Sequence, residues 1–159
     1  MLNCLKTIFL ILIITSLSAC GSYLKKQDKT DKIQPGTQGD FGQQIKPAST
    51  TPAAVLALIR KARADAMAGH IDKAMLRLER AARIEPANAT VWHYMAKLFL
   101  QKENFKQAAG YAAKSSSLAQ HNKALVIDNW RIIAHARYRQ GNIKGAQKAQ
   151  DKINRLQQQ

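Results

Sequence analysis

The chain has 159 residues, room for one domain, with 25 Lys and Arg against 10 Asp and Glu and a formal net charge of +15. Apolar residues make up 46% of it, enough for a core, so length and composition exclude a two-domain protein. The first twenty residues stand outside that domain. Lys6 is followed by an unbroken apolar run from Ile8 to Ile14 and then by small residues. This is the pattern of a secretory signal, too short and wrongly flanked for a transmembrane helix.

The signal ends Leu17-Ser18-Ala19-Cys20-Gly21, which resembles the bacterial lipobox: a branched apolar residue, two small ones, then cysteine. The resemblance implies a signal peptide at residues 1–19, with Cys20 acylated and exposed as the new N-terminus. Several acyl chains on one residue anchor far better than one. Cys4 would leave with the signal and Cys20 would carry lipid, so the two cysteines form no disulfide. Gly21, rather than Asp, follows the cysteine, which by the same resemblance implies the outer membrane, facing the periplasm.

Residues 20–50 read as the lipidated cysteine and a disordered tether. Lys, Gln, Asp, Gly, Thr and Pro dominate from Gly21 to Ser49, and the few apolar residues follow neither a helical nor a strand period. About thirty flexible residues have a root-mean-square span of about 30 Å and an extended limit of about 100 Å. The alternative is a short ordered arm that packs back on the module through Phe41 and Ile45.

The module, residues 51–159, opens at Thr51-Pro52, read as a cap residue and a first-turn proline. A helix to about Ala68 is ended by Gly69. Its successor places Ile71, Ala74, Met75, Leu78, Ala81 and Ala82 on one face, with Lys73, Arg77, Arg80 and Arg83 on the other. Pro86 closes this hairpin and Asn88 is read as the cap of the next. Counted from Trp92, the positions +4, +13 and +16 hold Ala96, Phe105 and Ala108, with a break at Glu103-Asn104. Leu58, Ala62, Ile71 and Ala74 have the same spacing, and so do Trp130, Ala134, Ile143 and Ala146. The expected fold is therefore all-α, about three helical hairpins. Trp130 lies one helical turn later than a regular repeat would place it, and the extra turn is expected between Ser115 and Lys123. The thin stripe of Ile143, Ala146, Ala149, Ile153 and Leu156 suits a terminal helix with one wet face.

The period from Leu58 to Trp92 resembles the tetratricopeptide repeat, through Ala62, Gly69, Ala74, Leu78, Ala81 and Pro86, then Trp92, Ala96, Phe99, Phe105 and Ala108. In that family the first helix of each hairpin lines a groove for a peptide or protein segment. Projected onto this chain, the partner-binding groove takes Arg63 and Met67, then His93 and Lys97, then Arg131, His135 and Arg139. The alternative for each is a solvated helix face. The family's carboxylate-clamp branch is not implied, because the corresponding positions hold Ile59, Tyr94 and Asp128.

Residues 51–159 hold 19 Lys and Arg against 7 Asp and Glu, so the basic balance lies largely in the module. Nucleic acid is the usual partner of such charge but is out of reach of a lipidated envelope protein, so it is not an expected partner. His70, His93, His121 and His135 are not spaced as a metal site. Ser115-Ser116-Ser117 lacks a nucleophile's glycine-flanked turn, and no glycine loop cradles phosphate. A non-enzyme without cofactor or metal is expected. Lipobox, tether and C-terminal repeat module, with Asn129-Trp130-Arg131-Ile132-Ile133-Ala134 and Arg139-Gln140-Gly141, resemble the lipoprotein activators of bifunctional penicillin-binding proteins. The resemblance implies a non-catalytic adaptor, tied to the membrane by its lipid, whose protein partner is a class A penicillin-binding protein. The other reading is an envelope structural or assembly factor that binds anionic lipid or cell wall through overall charge.

Overall fold

The computed structural model describes Phe41, residues 45–119 and residues 121–159; the signal and Cys20 lie outside the described residues. Among the described residues six α-helices follow one another: α1 (Ala53–Met67), α2 (Ile71–Ile84), α3 (Ala89–Gln101), α4 (Phe105–Leu118), α5 (Lys123–Arg139) and α6 (Ile143–Gln158). They pair as α1 with α2, α3 with α4 and α5 with α6, and α4 also packs closely on α5. The first helices of the hairpins, α1, α3 and α5, touch in series and form the inner face. This is the tetratricopeptide-like stack of three hairpins expected from the repeat.

Each hairpin turns at a residue in the left-handed region: Gly69 (φ 81°), Glu103 (φ 55°) and Gly141 (φ 75°). Glycine adopts that conformation without a Cβ penalty; Glu103 adopts it with one. Asparagine then starts four of the helices. The side chains of Asn88, Asn104, Asn122 and Asn142 accept from the backbone N–H groups of Val91, Gln107, Leu125 and Gly145, satisfying donors that a helix leaves open at its N-terminus. Thr51 is not a cap: Pro52 holds that position without a side-chain bond, and Thr51 Oγ1 instead accepts from Asn88 Nδ2 at 3.2 Å.

Two apolar clusters fill the stack. One joins Val55, Ile59, Ala62 and Ala66 to Ala74, Leu78, Ala81, Val91, Tyr94 and Leu98; the other joins Ala96, Leu100, Ala108 and Ala112 to Ile132, Ile133, Ala136 and Ala149. Alanine at the helix contacts lets the paired backbones approach, and the larger side chains fill the space between hairpins. On the outer side Tyr111 stacks on both Trp92 and Phe99, and Lys114 Nζ lies 3.4 Å from the Trp92 ring centroid.

The extra turn is not where the spacing suggested. Asn122 follows Asn88 by the regular interval and begins α5 as Asn88 begins α3. The additional turn lies inside α5, which has 17 residues against 13 in α3. Its effect is to bring Asp128 and Asn129, ahead of Trp130, against the middle of α3.

Candidate functional site: the inner face

Central position decides burial on the inner face. α3 is covered by neighbours on most sides, and His93, Tyr94, Met95, Ala96, Lys97 and Leu98 are all buried. His93 is thus inside the core instead of lining an open groove. A chain of hydrogen bonds fixes it. Ser115 Oγ donates to Ala89 O at 2.8 Å, so it accepts from Asn129 Nδ2 at 2.8 Å. The Asn129 amide then presents Oδ1 to His93 Nδ1 at 2.8 Å, so that nitrogen carries the proton. The other ring nitrogen, Nε2, turns its lone pair toward Asp128 Oδ2 at 3.3 Å. Burial pushes the His93 pKa down to about 4, against the pull of the Asp128 carboxylate and the Asn129 hydrogen bond, while the Lys97 charge adds to the lowering.

Asp128 is the acidic centre of the face. Lys97 Nζ lies 3.6 Å from its Oδ2 and Arg131 Nη1 3.8 Å from its Oδ1. Lys97 is 5% exposed, so its charge is held inside the face and not offered at its surface. Arg131, on the next hairpin, is exposed. His135 is buried edge-on to Phe105, and burial, then the Arg139 charge, hold its pKa below the ordinary value. Arg139 lies over the Phe105 ring at 4.6 Å and reaches Glu103 Oε1 at 3.5 Å. Met67, at 68% exposure, stands at the far rim. Of the seven groove residues projected from sequence, Arg63, His93, Lys97 and Arg131 come together around Tyr94 and Asp128. Met67, His135 and Arg139 do not join them.

The groove is also occupied. Phe41 is 4% exposed and stacks on Tyr94 with ring centroids 6.0 Å apart, while Lys97 Nζ lies 5.9 Å from its centroid. Arg63 Nη2 donates to Phe41 O at 2.8 Å. The Ile45 N–H donates to the Tyr94 hydroxyl at 3.3 Å, and its side chain packs with Ala119 and Leu125. Asn122 Nδ2 donates to Lys46 O at 3.5 Å. At these residues the segment read as a disordered tether is an arm packed on α1, α3 and α5. Two isolated apolar residues in a polar stretch carry no periodic signal, which is why the pattern pointed to disorder. Asn129 and Tyr94 were also missed, because a single polar or aromatic residue within a helical stripe does not disclose its partners.

No protein-family model matches the chain, and no curated protein does. A solved structure does: the globular C-terminal domain of P. aeruginosa LpoP, at 33% identity and a TM-score of 0.62. The match covers 65% of this chain and 97% of that domain. With a third of its matched residues shared over nearly the whole of that domain, the chain belongs to the family of LpoP.

Proposed function

We propose that this protein is a non-catalytic, lipid-anchored adaptor of the cell envelope, held at the outer membrane through Cys20 and facing the periplasm. Its module engages a bifunctional, class A penicillin-binding protein and favours that enzyme's active state in peptidoglycan synthesis. The observation that carries this reading is the match to the LpoP domain over 97% of its length, LpoP being one of the outer-membrane activators of such synthases that the order of parts resembles. The inner face supports it: Arg63, Tyr94 and Asn122 already hold the backbone groups of Phe41, Ile45 and Lys46.

The test is glycan polymerisation by a purified class A penicillin-binding protein with and without the full chain. Acceleration of several-fold is expected, and an unchanged rate would sink the proposal. Arg131 and Arg139 are the positions for charge reversal, since both are exposed. A carboxylate at Lys97 would instead be buried against Asp128 and would test folding. An equal response from the Arg131→Glu/Arg139→Glu chain would move the contact off this face.

One observation favours the second reading. Lys73, Arg80 and Arg83 are exposed on α2, away from the inner face. Binding to anionic vesicles that falls steeply with salt and is indifferent to Arg131 would support it.

A further inference from the structure

We propose that the arm around Phe41 and Ile45 is a displaceable resident ligand of the inner face, and that the partner segment seated there shares its chemistry. That segment offers backbone N–H and C=O groups, an aromatic side chain, a branched aliphatic one four residues on, and an acidic group for Arg60. The inference rests on the inner face being the partner's site.

The contacts divide as they do in peptide recognition. Backbone groups of the arm are held by side chains of the module: Phe41 O by Arg63, Ile45 N–H by Tyr94, Lys46 O by Asn122. Such contacts read no side chain of the segment. Selection comes from two seats, the Tyr94 ring under Phe41 and the Ala119–Leu125 surface under Ile45. The second apolar cluster, between the later hairpins, is complete without the arm.

The arm also fills its site incompletely. Beside Ile45 and Pro47 is a small hollow, open to solvent and bordered by Leu56, Ile59, Arg60, Arg63 and Tyr94. A segment with a larger apolar group and a carboxylate at that place makes every contact of the arm and adds to them. It needs that advantage, because a tethered arm competes at an effective concentration on the order of millimolar. The face is therefore closed to weak or accidental ligands and opens to one that fits better.

The experiment uses the full chain and a fluorescent synthetic peptide spanning residues 38–50, read by anisotropy. The peptide is expected to bind the Phe41→Ala/Ile45→Ala chain at least tenfold tighter than the native chain. A peptide with alanine at both positions is expected to bind neither. Equal affinity for the two chains would overturn the proposal, as would no binding to a variant with native helical circular dichroism. If the double variant loses that signal, Phe41→Ala alone takes its place under the same criterion. Synthase activation is measured separately. A positive peptide result with no activation removes the synthase and keeps the arm; activation with a negative peptide result does the reverse.

Discussion

Helices α3 and α5 start alike and end differently. Both are capped by asparagine and both contribute the inner side of a hairpin. Yet the positions equivalent by repeat spacing diverge: His93 is sealed in the core and its counterpart Arg131 is exposed. The cause is place in the stack. α3 belongs to the middle hairpin and has a further hairpin on either side, whereas α5 belongs to the last one, packed against α3, α4 and its own partner α6 with no hairpin beyond. The extra turn of α5 then supplies the Asp128 and Asn129 that make a buried histidine and lysine tolerable. A buried polar group costs little only while its partners are present.

The strongest way to break the comparison is to remove that supply. Asn129→Leu leaves the His93 Nδ1–H and the Ser115 hydroxyl without their shared partner and is expected to cost roughly 3–4 kcal/mol. Urea unfolding at neutral pH checks it; a loss below about 1 kcal/mol would mean that α3 does not depend on α5 in this way.

Acid sharpens the same contrast. The folded His93 titrates near 4, below the ordinary 6.5 of the unfolded chain. Between those values the unfolded state binds a proton that the folded state refuses. The stabilisation is therefore present above pH 6.5 and is lost as pH falls through 4, by up to roughly 3 kcal/mol. His135 is shifted in the same direction. Denaturation midpoints from pH 7 to 4.5 should fall less steeply in His93→Gln than in the native chain. Parallel slopes would mean that this histidine is not the one resisting protonation.

Removing the covering arm asks how much of α3's burial is borrowed. Phe41→Ala takes one aromatic ring off Tyr94 and is expected to cost about 1–2 kcal/mol, less than a core truncation because the arm can leave the surface. Fluorescence of Tyr94 is obscured by Trp92 and Trp130, so amide exchange along α3 is the better readout. Faster exchange should appear near Tyr94 and Lys97 and not in α6.

The smallest effect has the opposite sign. Glu103 holds a left-handed turn that Gly69 and Gly141 hold without strain. Glu103→Gly should relieve that strain and stabilise by about 0.5–1 kcal/mol, less whatever the exposed Arg139 contact contributes. A thermal midpoint that falls would show that the ion pair outweighs the backbone strain.

Much of the fold was legible because repeats write themselves in spacing. Ala62, Ala74, Ala96, Ala108, Ala134 and Ala146 recur where helices must approach, and Gly69, Asn104 and Gly141 mark the turns. The site was legible only in part. Spacing placed Arg63, His93, Lys97 and Arg131 on one face, since helical period alone decides a face. It did not show that α3 lies inside, because burial depends on which hairpins flank it.

Local geometry was written in the residue order: the helical segments, the breaks between them and the face each turns inward. Each follows from interactions within a few residues of backbone. The remaining features are long-range and came from packing. The extra turn was assigned to α5, Asn129 met His93 36 residues away, and two apolar residues of the tether, Phe41 and Ile45, found seats on Tyr94 and Leu125. No local pattern encodes these contacts, because each depends on the packing of surfaces that exist only once the hairpins have stacked.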